Sequence, residues 1–584
     1  MGMGGLVQSQ TFFSDRLAIS RFSKQKNATT LTWTRHPSVY IRQRGAILSK
    51  QSFINQIIHK TFAWRSVNGG HLLMTCFVIL LGLFSLFYGE IVPANDGLGW
   101  DGATYADLTR NLPSIISDGK LNTYYAQRWL PSALVRIFLI MFKSAFSNDD
   151  IIHAFAIYNL VLLGGACFIW KRIADRCNLS VSGRWLGFSG LFLSFQCSKQ
   201  SFYYPVLTDV TALFVGMLLL LFFIEKRPLA ILFTAIVGAF AWPVVGFSGA
   251  ILLVFLKSEF SEESVLPKLY CKLFPNSVIH LWSKRAVLFS IGFSLTGLFF
   301  LVSWEQLLQG ESSIYKIPNI LGLQRLFTGI PSLVAVGGAL VMLVGSVSCL
   351  KEAGMLLKKC DLKLAVFAVA SIIIPWAVVS FISNPLLPNP SGLVLFATLM
   401  LLPPNGKIML SFVSICVFWG PFILLLLLRW NKFCVVARKL GPGFLGIIGI
   451  SLPLILVTEP RFITSAWPFF VLGGVLVFEE IKVRDSFKYL FAVMTLLFSQ
   501  FWLKINIAPW TKEIYDGLGD FPKQLYFMHY GFFMSWPSYL AQFLLVTIFI
   551  VVIHFSIRAN SIGNTPNEFA NPSKLDQKLN RPNL

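Results

Sequence analysis

Apolar runs long enough to cross a lipid bilayer recur along this chain from Leu72 to Ile557, and that recurrence constrains the architecture more than any other feature. Backbone N–H and C=O groups in hydrocarbon must be satisfied within the protein, so runs of this length predict spanning helices. The composition agrees: 55% of the residues are hydrophobic, 13% are charged and Phe alone occurs 55 times. The expected fold class is therefore all-α, a polytopic helical membrane protein. A length of 584 residues would suggest several soluble domains in another composition, but not in this one.

The formal net charge of +22 does not point to nucleic acid. Lys and Arg fall in short clusters between apolar segments, as the positive-inside bias predicts, and not along one basic face. The nine Cys are scattered, mostly within apolar runs and without a C-x-x-C pair, so neither a disulfide framework nor a metal site is expected. Residues 1–70 carry ten Lys or Arg and one acid, Asp15, with no early apolar region of the kind a signal peptide needs. They read as a basic, disordered cytoplasmic tail near anionic lipid; an organelle transit peptide is the other reading of this composition.

Charge sidedness then orders the chain. Residues 71–557 form the transmembrane domain, with a first external loop at 90–150, another at 506–535, and a cytoplasmic C-terminal tail at 558–584. The segment 129–146 is apolar but carries Pro131, Arg136 and Lys143, and is expected to lie along the outer interface, with 151–170 as the second crossing. Residues 198–208 read as an external loop, and 229–256 as a hairpin of two short helices broken near Trp242-Pro243. Later spans are expected near 286–304, 330–350, 364–382, 441–457, 463–479, 488–505 and 537–557. The region 391–430 reads as two segments split at Pro403-Pro404, one of them a candidate re-entrant segment. The total is about fourteen crossings within a range of about 12–16, and no internal repeat is visible.

This sidedness puts four polar or aromatic loops on one external face: the stretch from Asn95 to Asp107, the Tyr203-Tyr204/Asp209 loop, the Thr458-Glu459-Pro460-Arg461 turn, and 506–535. Carboxylates at a membrane boundary are costly unless solvated, paired or bound. Asp101 heads an expected short helix with Tyr105 one turn on. It is either an N-cap or a general base, metal or phosphate-site carboxylate. Asp96 is a second candidate in a Gly-flanked turn, whereas Asp107 reads as solvated. Arg128, among aromatics, is either a snorkelling anchor or a bidentate phosphate holder. Asp209 is an N-cap or a site carboxylate. Glu459 and Arg461 form either an exposed pair or a cation poised for an anionic substrate. The histidines show no ligand spacing, and no protease, hydrolase or NTPase motif is present.

Taken in order, Asp101-Gly102-x-x-Tyr105, Gln127-Arg128-x-Leu130-Pro131, Thr208-Asp209 and Glu459-x-Arg461-Phe462 resemble the glycosyltransferase-C superfamily of polytopic membrane enzymes. The resemblance covers Leu72 to Trp242 and 441–480. It implies a first external loop with interfacial helices and the catalytic acid, and transfer of a sugar from a polyprenyl-phosphate carrier at the external face. On that basis Asp101 would be the general base of an inverting transfer, and Arg461 and Arg128 would hold the carrier phosphate. Asp96, Tyr105, Tyr204, Asp209 and Glu459 would line the substrate site, the aromatics stacking on sugar or sitting in the interfacial belt. The acceptor would be a glycan, lipid or protein, in polysaccharide biosynthesis for the cell envelope. The expected setting is a bacterial inner (plasma) membrane, with membrane lipids as partners, no nucleic acid and both termini cytoplasmic. Many members carry adjacent acids in this loop, whereas Asp96 and Asp101 are separated by four residues. That departure leaves the metal requirement unknown and a divalent cation (Mg or Mn) open. Competing readings are a transporter or flippase of a lipid-linked or anionic solute, a polysaccharide polymerase or ligase, and a non-catalytic scaffold.

Overall fold

The computed structural model describes residues 70–257, 361–387, 410–455, 459–481, 486–506 and 536–561, and among these helices are the regular elements. The expected spans 286–304 and 330–350, the Pro403-Pro404 split, Thr458, the 507–535 part of the external loop and the tails 1–69 and 562–584 lie outside the described residues.

In chain order the first helices are α1 (Gly70–Tyr88), α2 (Asp101–Ser117), α3 (Thr123–Ala126), α4 (Leu130–Met141), α5 (Asn148–Arg176) and α6 (Val181–Phe192). A π-helical segment, Gln196–Gln200, runs into the turn Ser201–Tyr203. Next come α7 (Asp209–Ile224), α8 (Pro228–Ala239), α9 (Val244–Val254) and α10 (Leu362–Ile382). The remainder are α11 (Leu410–Trp419), α12 (Phe422–Leu428), α13 (Trp430–Lys439), α14 (Pro442–Ile455), α15 (Trp467–Ile481), α16 (Ser486–Ser499) and α17 (Trp536–Ser561), with a 3-10 turn at Pro460–Ile463.

Four of these are long and apolar enough to cross a membrane: α1, α5, α10 and the Pro537–Ser556 part of α17. Local chemistry explains where they begin. Ser147 and Asp150 form a reciprocal capping box at the start of α5, with hydrogen bonds of 3.1 and 3.2 Å. Asp361 caps α10 by accepting the Lys363 N–H at 3.0 Å. Shorter apolar helices, among them α4, α7, α8 and α9, accompany them. At 1.5 Å per residue α4 is about 18 Å long, short of a hydrocarbon core of about 30 Å. One side of α4 exposes Leu134, Ile137, Ile140 and Met141, while Arg136 turns inward onto the carbonyls of Thr109 and Arg110.

Residues 229–256 form two helices, α8 and α9, joined at Trp242-Pro243. Between α11 and α12 the break falls at Gly420-Pro421, where Gly420 adopts a φ of 79° and Pro421 has no N–H to donate. The segment 198–208, expected as an external loop, is buried; its first part, to Tyr203, is helical and the rest is an irregular turn. Helix α16 stops at Ser499, several residues before the expected 505, because Gln500 takes a left-handed φ of 48°.

Two sets of contacts tie the helix ends together. At one end Glu225, just past α7, receives Arg172 and Arg176 from α5 and Arg227, at 2.7, 3.0 and 3.0 Å. The Ser180 N–H donates to Glu479 of α15 at 2.6 Å, and Arg184 bridges Asp175 and His71. At the other end lie Glu90, Asp101, Asp209 and Glu459. Asp209 and Glu225 bracket the sixteen residues of α7, about 24 Å apart along its axis. Helix α7 packs on α5 and α8, and its Gly216 lets the Ser465 carbonyl approach where any Cβ would overlap it. The closeness brings the chain around Arg461 down onto the start of α7.

Candidate functional site

Asp101 is the first residue of α2, but it does not cap that helix; Trp100 occupies the cap position and its side chain accepts no hydrogen bond from the first turn. Asp209 stands likewise at the first position of α7, after Thr208, with no side-chain cap. Both carboxylates turn to Arg461. Its Nη2 donates to Asp101 Oδ2 at 3.2 Å, its Nη1 lies 3.9 Å from Asp209 Oδ2, and its Nε donates to Glu459 Oε1. One guanidinium thus gathers three carboxylates from sequence positions up to 360 residues apart.

Burial divides the three acids. Asp209 and Glu459 are 2% and 3% exposed, whereas the Asp101 side chain is 27% exposed. Burial pushes the Glu459 carboxyl above its ordinary range, while the charge of Arg461 and its hydrogen bond pull the other way. Neither oxygen of Asp209 has a hydrogen-bond partner. Asp101 therefore combines a fixed oxygen with access from outside the protein.

The turn holding Arg461 is built from large aromatics. Trp419 donates its indole N–H to the Pro460 carbonyl at 3.0 Å and stacks on Trp467 at 4.7 Å, and Trp467 in turn donates to the Gly190 carbonyl at 2.9 Å. The start of α2 is fastened from below. Tyr204 Oη accepts the Gly102 N–H at 3.1 Å, and its ring fills the space where a Cβ on Gly99 would sit. Gly99 also has a φ of 68°, so two demands converge on that glycine. Beneath this, Val92 N–H donates to the Tyr203 carbonyl at 2.9 Å, and Tyr203 Oη donates to Asn506 Oδ1 at 2.7 Å. Glu90 accepts from Lys199 at 3.0 Å and from the Asn506 N–H at 2.9 Å. Segments from all four loops assigned to one face therefore meet.

A second patch adjoins the first. The Arg128 guanidinium lies 4.1 Å from the Tyr124 ring and 5.1 Å from that of Trp242, and donates to Tyr124 Oη. Tyr105 packs edge-on against Tyr125, which does the same to Tyr124, with ring centroids 5.6 and 5.0 Å apart. Burial pushes the Tyr124 phenol up to about 12, so it stays protonated near neutrality. Arg128 Nε, Trp129 Nε1 and Trp242 Nε1 are buried donors without partners. Trp242 contacts Phe462, next to Arg461, with ring centroids 6.5 Å apart. Unpaired buried donors around a cation form a surface suited to an anion.

Of the residues singled out from sequence, Asp101, Asp209, Glu459 and Arg461 come together, with Arg128 and Tyr105 beside them. Tyr204 supports the helix start. Neither Tyr105 nor Tyr203 nor Tyr204 sits in an exposed interfacial belt; each is buried and engaged inside the protein. Asp96 stands apart, exposed in a turn with a φ of 53°, and no contact joins it to Arg461. Trp242 and Trp419 were not singled out as site residues. Trp242 before Pro243 reads from sequence as a helix break only, and Trp419 before Gly420-Pro421 carries no reading there, since the split of 391–430 is expected at Pro403-Pro404.

Among the described residues no three His, Cys, Asp or Glu side chains are arranged to hold a metal ion, and the described cysteines are free. The acids here surround a guanidinium instead. Comparison with protein-family models, curated proteins and solved structures returns no match.

Proposed function

We propose that this protein is a membrane glycosyltransferase of about fourteen crossings that moves a sugar from a polyprenyl-phosphate carrier to a hydroxyl acceptor at the face bearing Asp101. The supporting observation is the pairing of a partly exposed, Arg-anchored carboxylate with a neighbouring patch of unsatisfied donors around Arg128. Asp101 Oδ2 is held by Arg461, which leaves Oδ1 for the acceptor. Asp101 takes the proton of the acceptor hydroxyl as its oxygen bonds to the anomeric carbon. The bond from that carbon to the phosphate oxygen breaks, and the carrier departs as a polyprenyl phosphate. Displacement from the opposite side inverts the anomeric centre.

The leaving phosphate falls to Arg128 in the first place, because the nitrogens of Arg461 already face Asp101, Asp209 and Glu459. Arg461 then acts mainly by orienting Asp101. This reading sets the protein in a bacterial inner (plasma) membrane with both termini cytoplasmic.

The test is reconstitution in liposomes with radiolabelled polyprenyl-phosphate sugars and candidate acceptors, comparing the wild type with Asp101→Asn. General-base catalysis predicts a loss of transfer of about 100-fold or more with folding intact. Transfer unchanged by the substitution would remove Asp101 from catalysis. A second reading rests on the buried Asp209–Arg461–Glu459 group, since buried charges within a membrane also mark transport paths. Movement of the carrier-linked sugar across the bilayer without transfer would favour that transporter or flippase.

A further inference from the structure

A separate polar group is buried in the segment that leads into Tyr204. The π-helical segment carries Gln196 and Gln200, 0% and 2% exposed, and all four of their amide atoms lack hydrogen-bond partners. Spaced four apart, the two carboxamides share a face of the segment. An unpartnered buried amide costs roughly 1–3 kcal/mol, so two such side chains together are improbable without something to bind. Across the segment Asn159 donates to the carbonyls of Ser201 and Pro205 at 2.9 and 3.0 Å, which fixes the turn that follows. Lys199, between the glutamines in sequence, is already engaged with Glu90 and the Leu503 carbonyl.

The segment is linked to the candidate site. The Gln200 carbonyl accepts the Tyr204 N–H at 2.9 Å, and Tyr204 Oη accepts the Gly102 N–H next to Asp101. The ring of Phe195, one residue before the glutamines, lies 6.0 Å from that of Phe418, next to Trp419 of the Arg461 turn. Each carboxamide offers two donors and an acceptor without charge. Ring hydroxyls, each both donor and acceptor, match that pattern; a phosphate or carboxylate would leave the acceptor oxygens facing like charge.

We infer that Gln196 and Gln200 form a subsite for the hydroxyls of a glycosyl group. The inference rests on the reading of the protein as acting on a lipid-linked sugar, but its test does not need turnover. The probes are polyprenyl-phosphate mannose and bare polyprenyl phosphate, added to protein in nanodiscs and read by thermal unfolding. Wild type and Asp101→Asn should both gain more stability from the mannosylated carrier than from the bare one. Gln196→Met and Gln200→Met keep the side-chain volume but lose the hydrogen bonds. Each should keep the shift from the bare carrier and lose most of the extra shift from the sugar. That retained response also shows that the variants are folded. Equal shifts from the two carriers in the wild type would overturn the subsite. So would a full sugar-dependent shift in both Met variants, the result expected if ordered water alone occupies the glutamines. Failure of the transfer reading appears instead as absent turnover with this difference preserved.

Discussion

The two ends of the helical body carry the same kind of cluster with opposite stoichiometry. At one end a single carboxylate, Glu225, is surrounded by Arg172, Arg176 and Arg227. At the other a single guanidinium, Arg461, is surrounded by Asp101, Asp209 and Glu459. The arginines of the first cluster are 43–54% exposed, so water satisfies what Glu225 does not. Arg461 is 8% exposed, and its partners include a carboxylate with two unpaired oxygens. A buried carboxylate satisfied by solvated arginines staples helix ends. A buried cluster that leaves acceptors open is costly for stability, and that cost is what marks it as a candidate site.

This contrast can be broken by substitution. Arg461→Met strands three carboxylates and is expected to cost about 3–5 kcal/mol in unfolding experiments in detergent. Arg172→Ala, at the opposite end, should cost at most about 1 kcal/mol. Equal effects would dissolve the distinction between site and staple. For the second patch, under the proposed sugar transfer, Arg128→Ala should raise the KM for a polyprenyl-phosphate donor by about tenfold or more, the loss of a charge-assisted hydrogen bond of about 1.5–3 kcal/mol. An unchanged KM would return the phosphate to Arg461. Tyr204→Phe removes only the hydrogen bond to Gly102 N–H and should cost about 0.5–1.5 kcal/mol in thermal unfolding.

The smallest effect is in pH dependence, where the two glutamates should behave oppositely. Burial pushes Glu225 up, but the hydrogen bonds from Arg172 and Arg176 hold it below its ordinary range. Its contribution is therefore present above the unfolded glutamate pKa of about 4.3 and fades as pH falls through the lower folded value. Glu459 is raised by burial, so its contribution is full below about pH 4.3 and declines as pH rises through the folded value. Melting curves of Glu225→Gln and Glu459→Gln against the wild type, between about pH 3 and pH 7, should show slopes of opposite sign. Parallel slopes would mean that both acids sit in similar surroundings.

The helical, membrane-type architecture was legible because apolar length and basic flanks are one-dimensional properties of the chain. So was the hairpin at Trp242-Pro243, where proline cannot continue the hydrogen-bond ladder. Asp101 and Asp209 were legible as candidates, but as helix caps or site acids equally. The choice between those depends on Arg461, far away in sequence. For the tyrosine pair at 203–204 the sequence leaves sugar stacking and the interfacial belt both open, because aromatic residues near a span end look alike whether they face headgroups or the interior. Asn506 and Gly102 decide that they face inward. The unpaired glutamines could not have been singled out, since a Gln in an apolar run gives no sign of whether it has a partner.

The most direct test is a double-mutant cycle on Asp101 and Arg461, read by unfolding free energy in detergent. Asp101→Asn, Arg461→Met and the double variant should give a coupling energy of about 1–3 kcal/mol, as expected for side chains that share a contact. Effects that add to within about 0.5 kcal/mol would mean that Asp101 and Arg461 do not meet, which would contradict the account.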